Sequence, residues 1–208
     1  MGLSFWLVPP PCQATLLQSI MPQQPQGSLL EPDRGGSGTL SSSSYPKVFP
    51  HITVASVRSI GNKLPGCLLA NLAKDRRSIR VNFQSLLVSD HYFRSLFISL
   101  LPTTDLLALR DEIKETLSHL SPRFAPMFPH LSLAYIADRD AEAGERHRAA
   151  QSLRDRGVVI EDKDRHTVSL RCGDVCMSGV DLAEIWLVEC DGPVEEWSVW
   201  DKVSLRSV

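Results

Sequence analysis

The sequence predicts an α+β protein in which two antiparallel-sheet lobes, with flanking helices, surround a central cleft. A six-residue phrase occurs twice, as PHITVA at residues 50–55 and as PHLSLA at residues 129–134. Strand and helix patterns are interspersed without the strict strand–helix–strand repeat of a parallel sheet. Each copy of the phrase is followed by a helical pattern, which is typical of a duplicated unit. Two such units place the copies face to face.

The N-terminal elements are a strand and a short helix, followed by a biased segment. Residues 3–8 form an apolar run that predicts the first strand, and residues 12–20 predict a helix. Residues 22–46 are rich in Gln, Pro, Gly and Ser, a composition that does not bury enough apolar surface to order itself. Strand signals resume at Phe49, so the segment is predicted to be a flexible surface insertion. We therefore expect residues 1–208 to form a single bilobal domain.

The rest of the chain alternates between helical and strand patterns. Thr103 or Thr104 caps a predicted helix whose buried face carries leucines at helical spacing. Gly157 ends a long charged helix that begins at about Asp138. The further predicted elements are a helix at 64–74, strands at 79–88 and 92–101, and strands at 167–170, 182–189 and 197–205.

Charge and hydropathy exclude some classes of protein. The chain has 208 residues and a formal net charge of −2, so no general basic field is available to hold long nucleic acid. We expect any nucleotide partner to be a small molecule, and we expect a monomer. No stretch approaches the length of a membrane span, and the apolar start lacks the basic region of a signal peptide.

Five cysteines are scattered along the chain, an odd number that does not suggest a disulfide framework. Cys172 and Cys176 form a C-x3-C pair without a second pair nearby, so free thiols are favoured over a zinc site. This usage predicts a reducing, intracellular compartment.

The duplicated phrase carries the chemistry. Successive side chains of a strand point to opposite faces, so His51 shares a face with Thr53, and His130 shares one with Ser132. A single His-x-Thr or His-x-Ser pair is common in any half-buried strand and does not by itself indicate a site. The second copy repeats the preceding Pro, the following Ala and the phase of the alternation, which indicates a shared site.

Two imidazoles and two hydroxyls supply acid–base catalysis and hydrogen bonds to a phosphate without a metal or another cofactor. The ordinary imidazole pKa of about 6.5 predicts activity limbs near neutral pH. His91, His119, His147 and His166 lack this context and are predicted to lie outside the site.

The paired phrases resemble those of the two-histidine phosphoesterases, and the resemblance extends to the small fungal and plant cyclic phosphodiesterases. It is also carried by SFWLVPP at residues 4–10, by the extension of the second phrase to Tyr135, and by CDGPVEEW at residues 190–197. The resemblance implies a bilobal two-histidine phosphoesterase fold. It also implies a 2′,3′-cyclic-nucleotide 3′-phosphodiesterase, found in the cytoplasm or associated with the Golgi.

Enzymes of that branch open ADP-ribose 1″,2″-cyclic phosphate, a by-product of tRNA splicing, to ADP-ribose 1″-phosphate. They also open nucleoside 2′,3′-cyclic phosphates to 2′-phosphates. The resemblance implies that His130 is the base, helped by Thr53, and that His51 is the acid. Tyr135 and Trp197 are then candidates for stacking on the base of a nucleotide. Strict alternation places Tyr135 on the face opposite His130, so a core role competes with stacking for this residue.

Three alternatives remain open on sequence alone. A 2′-5′ RNA ligase-like enzyme or an RNA 3′-end exonuclease of the same superfamily would need a basic track for a polymer, which the near-neutral charge disfavours. A non-catalytic nucleotide-binding module would not need both phrases intact. The insertion at residues 22–46 can also serve as an interaction segment.

Overall fold

The computed structural model of the chain describes residues 2–24, 40–58 and 67–206. The helices are α1 (Pro11–Ile20), α2 (Leu68–Ala73), α3 (Thr104–Thr116), α4 (Asp138–Glu142) and α5 (Glu145–Asp155). The strands are β1 (Gly2–Val8), β2 (Ile52–Arg58), β3 (Ile79–Val88), β4 (Leu96–Leu101), β5 (Arg123–Phe124), β6 (His130–Ala134), β7 (Val159–Asp162), β8 (Thr167–Cys172), β9 (Val175–Met177), β10 (Gly179–Leu182), β11 (Glu184–Glu189) and β12 (Ser198–Ser204). Single 3₁₀ turns lie at Tyr92–Arg94, Ser118–Leu120 and Val194–Glu196.

The predicted α+β class with antiparallel sheets is confirmed. A five-stranded sheet has the order β12–β11–β1–β2–β5, and a four-stranded sheet has the order β10–β3–β4–β6. Every paired strand in these sheets runs antiparallel to its neighbour. The first copy of the duplicated phrase therefore belongs to one sheet and the second copy to the other.

The apolar faces of both sheets meet in one core, together with the inner faces of the helices. Helix α3 buries Leu106, Leu109 and Ile113, and its N-terminus is capped by Thr103, whose hydroxyl accepts a hydrogen bond from the Leu106 backbone. This cap and this spacing agree with the prediction. Phe5 on β1 and Phe83 on β3 are fully buried in the same core.

Several element boundaries differ from the prediction. The strand predicted from residue 92 begins at Leu96, because Tyr92–Arg94 forms a 3₁₀ turn first. The predicted helix at 138–156 is broken into α4 and α5 by Gly144, whose φ of +86° is a conformation that glycine adopts without strain. Strands β5, β7, β9 and β10 were not predicted; β7 and β9 flank β8 in a small third sheet.

The prediction of a flexible insertion at 22–46 is wrong at its C-terminal end. The buried carboxylate of Asp140 accepts hydrogen bonds from the backbone N–H of Ser41 and from the hydroxyl of Ser44. The hydroxyl of Tyr45 donates to Glu145. These bonds fasten residues 41–45 to α4 and α5, whereas residues 25–39 lie outside the described residues.

Among the parts of the chain that the structure describes, no helix has both the length and the apolar character needed to cross a bilayer. All five cysteines are unpaired. Cys172 is buried and Cys176 is exposed, so the two thiols of the C-x3-C pair do not share one environment.

Candidate active site

One cavity is lined by both sheets and collects all six residues that the sequence singled out. Its lining includes Ser4 and Trp6 from β1, Thr53 and Ser56 from β2, and Ser132 from β6. The remaining lining residues are His51, Phe93, Arg94, Ala125, Pro126, His130, Tyr135, Cys190 and Trp197. The duplicated phrases thus meet in a single site.

A β-bulge in β2 turns an additional side chain toward this cavity. The pairing of β1 with β2 skips Val54, which has no partner across the ladder. Val54 and Ala55 are consecutive residues, yet both lie in the hydrophobic core. The alternation therefore slips by one residue, so that Thr53 before the bulge and Ser56 after it both line the cavity.

The second copy repeats this irregularity. The pairing of β4 with β6 skips Leu133, and both Leu133 and Ala134 lie in the core. Tyr135, directly after the strand, consequently lines the cavity on the same side as Ser132. The fifth residue after each motif histidine, Ser56 or Tyr135, is thus returned to the site by a bulge that strict alternation does not predict.

The imidazole of His51 is held by two contacts. Its Nδ1 lies 2.7 Å from the carbonyl oxygen of Phe49, which only accepts, so Nδ1 carries the proton and donates. The Trp6 indole stacks on the ring with centroids 3.5 Å apart. Nε2 is the nitrogen that remains for chemistry.

His130 is oriented in the same manner from the opposite sheet. Its Nδ1 lies 3.3 Å from the carbonyl oxygen of Met127, so this nitrogen also serves as the donor to the backbone. The Phe97 ring packs against the imidazole in a T-shaped arrangement, with centroids 5.3 Å apart. Both histidines therefore present Nε2 as the free ring nitrogen.

Burial makes both imidazoles neutral at pH 7. Desolvation lowers the pKa of His51 from 6.5 to about 4, and the nearby His130 shifts it in the same direction. Desolvation also lowers the pKa of His130 to about 4, with Arg94 and His91 acting in the same direction. These pKa values differ from the near-neutral values that an unperturbed imidazole predicts.

The two motif hydroxyls are not equivalent, although the sequence makes them symmetrical. The Ser132 hydroxyl donates its proton to the carbonyl oxygen of Phe93 at 2.9 Å. Thr53 is half-buried and makes no side-chain hydrogen bond to any residue that the structure describes. Thr53 is therefore free to donate to a ligand, whereas the proton of Ser132 is already engaged.

Tyr135 and Trp197 lie side by side in the wall of the cavity, with ring centroids 6.3 Å apart. Tyr135 is almost fully buried, and burial raises the pKa of its phenol above the usual value. Trp197 is only half-buried and also contacts Trp6 and Phe93. Trp197 thus offers more open ring surface to a ligand than Tyr135 does.

Sequence reasoning missed Arg94 and Ser56. Arg94 ends the 3₁₀ turn that was predicted to be strand, so the sequence pattern does not direct it toward the site. The positions of Ser56 and Tyr135 have a sequence signal. In both copies the motif hydroxyl is followed by two apolar residues in a row, the second of them Ala, and burying both in the core is achieved by a bulge.

The other histidines that can be placed stay outside the cavity lining. Within residues 2–24, 40–58 and 67–206, no cluster of three or more His, Cys, Asp or Glu side chains is arranged to hold a metal ion. Metal-independent activity remains a prediction for experiment.

Comparison with known proteins identifies related sequences. The sequence profile described as "Cyclic phosphodiesterase-like protein" matches residues 1–205. A Yarrowia lipolytica protein named 2′,3′-cyclic-nucleotide 3′-phosphodiesterase is 24% identical over 230 aligned positions, which cover 96% of this chain and 97% of that protein.

Solved structures share the fold at low identity. A crystal structure described as a phosphoesterase has a TM-score of 0.53 at 12% identity and covers 98% of both chains. E. coli LigT, crystallised with NADP+, has a TM-score of 0.53 at 13% identity, covering 99% of this chain and 97% of LigT. The LigT complex with 3′-AMP has a TM-score of 0.51 at 12% identity, covering 99% and 98%.

Proposed function

This chain belongs to the cyclic phosphodiesterase-like protein family, and from that premise we propose that it hydrolyses cyclic phosphodiesters of small nucleotides. The proposed substrates are ADP-ribose 1″,2″-cyclic phosphate, opened to ADP-ribose 1″-phosphate, and nucleoside 2′,3′-cyclic phosphates, opened to 2′-phosphates. The first of these is a by-product of tRNA splicing, so the proposed role is in nucleotide metabolism that follows splicing.

One observation carries this proposal. His51 and His130 come from different sheets, line the same cavity, and are both anchored to the backbone through Nδ1. Ring opening at phosphorus needs one group that removes a proton from water and another that protonates the departing oxygen. Two oriented imidazoles with free Nε2 atoms are suited to these two tasks.

The proposed step is an in-line displacement. The oxygen of water forms a bond to phosphorus while Nε2 of neutral His130 takes its proton. The bond from phosphorus to O3′ of a 2′,3′-cyclic phosphate breaks, and Nε2 of protonated His51 gives its proton to that oxygen. The free hydroxyl of Thr53 donates to a non-bridging oxygen, on which negative charge accumulates.

The charge around the two histidines supports this division of roles. The positive charge of Arg94 lowers the pKa of His130, which favours the neutral form that a base requires. Arg94 is not among the groups that lower the pKa of His51. A phosphate monoanion bound between the rings would raise the pKa of the histidine that must be protonated, and we assign that role to His51.

The surroundings favour a small substrate over a polymer. In the dense basic cluster of residues 76–80, Arg76 pairs with Glu112 and Arg80 pairs with Asp181. These pairs leave less positive charge for a nucleic-acid track. The NADP+ and 3′-AMP complexes of LigT, which has the same fold, are consistent with a small nucleotide. We propose Trp197 as the stacking surface for the base, with Tyr135 supporting it.

Phosphorus NMR of the products tests the reaction, its regiochemistry and its metal dependence together. With excess chelator present, we expect ADP-ribose 1″-phosphate and nucleoside 2′-phosphates as products. His51→Gln and His130→Gln should each lower kcat by about 1,000-fold, and His147→Gln, on the exposed face of α5, is the matched control. Unchanged substrates, or activity that requires added metal, would contradict the proposal.

The proposal also includes the oligomeric state and the cellular compartment of the enzyme. The family match over residues 1–205 supports a single catalytic unit, which we expect to act as a monomer. The unpaired cysteines support a reducing compartment, and we propose the cytoplasm. Sedimentation of the purified protein and imaging of a tagged chain test the two statements separately.

A further inference from the structure

Among the residues that the structure describes, two buried side-chain hydrogen-bond donors lack partners, and both belong to residues that line the candidate active site. They are Nε of Arg94 and Nε1 of Trp197. A buried donor without an acceptor costs about 1–3 kcal/mol, so such groups are rare in folded proteins. Their coincidence in one cavity points to a bound ligand as the acceptor.

Among the described residues that line this cavity, Arg94 is the arginine, and no carboxylate of these residues neutralises it. It forms no ion pair with any residue in the described ranges, whereas Arg76, Arg146 and Arg154 each contact a carboxylate. Arg94 and His130 line the same cavity, and the positive charge of Arg94 lowers the pKa of this histidine. An anionic ligand bound between the histidines would be attracted by the positive charge of Arg94.

The turn that presents Arg94 is fastened by the second motif itself. The Ser132 hydroxyl donates to the carbonyl oxygen of Phe93, the residue directly before Arg94. Ser95, directly after it, is fully buried, and its hydroxyl accepts hydrogen bonds from the Ile136 backbone and from Nε of Arg146. Arg94 is therefore held between two fixed neighbours.

We propose that Arg94 binds the phosphate of the substrate, and that Ser132 is a positioning residue that acts through the Phe93–Arg94 turn. The part concerning catalysis rests on the proposed function, whereas the part concerning anion binding does not. A guanidinium offers several donors in one plane and matches two oxygens of a phosphate. The Thr53 hydroxyl on β2 and the guanidinium of Arg94, in the turn that precedes β4, would then hold the non-bridging oxygens.

Binding of inorganic phosphate tests the proposal without turnover. We expect Arg94→Gln to raise the Kd for phosphate by about 10- to 150-fold, the loss expected for a hydrogen bond to a charged group, and Arg94→Lys to recover part of it. Arg80→Gln, which changes an exposed arginine paired with Asp181, is the matched control and should leave the Kd unchanged. Equal phosphate affinity in wild type and Arg94→Gln would overturn the proposal.

NMR titration of His130 tests whether the Arg94→Gln variant loses phosphate affinity because the Arg94 charge is missing from the site or because the variant is misfolded. The charged or titratable groups that interact with His130 are Arg94 and His51, which line the cavity, and His91, which lies outside its lining. We expect Arg94→Gln to raise the pKa of His130 and Arg94→Lys to keep it low. A His130 pKa that is the same in all three proteins would place the Arg94 cation outside the site and overturn the proposal.

A double-mutant cycle tests the role of Ser132. If Ser132 acts through Arg94, Ser132→Ala should weaken phosphate binding in the wild type but should have little further effect in Arg94→Gln. Additive losses would mean that Ser132 contacts the anion independently, which would overturn its assignment as a positioning residue.

These outcomes separate this inference from the proposed function. A protein that leaves every cyclic phosphate intact but binds phosphate through Arg94 would contradict the proposed hydrolysis and uphold the anion site. An active hydrolase whose phosphate affinity and kcat are indifferent to Arg94→Gln would uphold the hydrolysis and overturn the anion site.

Discussion

The indole of Trp6 lies flat against the imidazole of His51, with ring planes 8° from parallel and centroids 3.5 Å apart. Together with the Phe49 carbonyl, the indole fixes the orientation of His51 before any ligand arrives. Trp6 thereby also excludes water from one face of the ring. The direction in which Nε2 points therefore depends on a residue from a different strand.

Loss of this stacking should impair the reaction. We expect Trp6→Leu to lower kcat by up to about 100-fold, because the imidazole loses its fixed orientation, and to raise the pKa of His51 toward 6.5 as water reaches the ring. Trp6→Phe should retain most of the rate. Steady-state kinetics and histidine NMR measure both effects, with Trp200→Leu on the exposed face of β12 as the control. Wild-type kcat in Trp6→Leu would show that stacking is irrelevant to turnover.

Acid should destabilise the fold through both histidines. Their pKa values are about 4 in the folded protein and 6.5 when unperturbed, so the unfolded chain binds more protons between these values. The free energy of unfolding should therefore be greatest above pH 6.5 and decrease by at most about 3 kcal/mol per imidazole as the pH falls to 4. Denaturant unfolding across this range should show a shallower loss in the His51→Gln/His130→Gln protein. An identical pH dependence in both proteins would contradict the lowered pKa values.

The pH dependence of catalysis should differ between free and bound enzyme. Because both imidazoles are neutral at pH 7, the form with one protonated ring is scarce in the free enzyme. We expect kcat/KM to be greatest on the acid side, near the pKa of about 4, and to decrease toward neutral pH. We expect kcat to have its optimum at higher pH, since a bound phosphate anion raises the pKa of His51. A kcat/KM bell centred at pH 6.5 would contradict this expectation.

The hydroxyl of Thr53 should contribute to the transition state. Thr53→Val keeps the shape of the side chain without its donor, and we expect kcat to fall by about 10- to 1,000-fold. Thr53→Ser keeps the donor and should remain close to wild type. A change in KM alone, with kcat retained in Thr53→Val, would show that this hydroxyl binds substrate and transition state equally.

The packed end of the insertion should stabilise the domain. The Ser44 hydroxyl is buried and donates to Asp140 at 2.6 Å while accepting from the Ala137 backbone. We expect Ser44→Ala to lower the free energy of unfolding by about 1–3 kcal/mol, with a Tm decrease of about 2–4 °C per kcal/mol and little change in kcat. The exposed Ser42→Ala is the matched control. Equal Tm values for the two variants would show that the hydrogen bond to Asp140 does not contribute to the stability of the fold.

Local patterns predicted much of the fold. The bounds of β3 and the start of α3 follow from short-range signals, an alternating run and a threonine cap, and both were predicted correctly. The break between α4 and α5 was missed because the charged pattern continues through Gly144, which is tolerated inside a helix at modest cost.

The composition of the site was only partly accessible from sequence. The two phrases predicted that His51 with Thr53 and His130 with Ser132 would be presented to a single site, and the structure places all four in the lining of one cavity. The difference between Thr53 and Ser132 depends on the Phe93 carbonyl, which comes from a distant segment. The lowered pKa values depend on burial by both sheets, and Arg94 enters through a turn, so neither has a local sequence signature.

The position of β1 inside the five-stranded sheet governs the order in which the protein can fold. Leu3 pairs with Glu189 on β11 and with Val57 on β2, so β1 cannot complete its pairing until β11, which lies about 180 residues later in the sequence, has been synthesised. Contacts between such distant parts of a chain slow folding, and incomplete chains expose unpaired strand edges. The sheet that carries Thr53 is thus completed late in synthesis. A nascent chain is consequently expected to gain catalytic competence only after β11 has emerged.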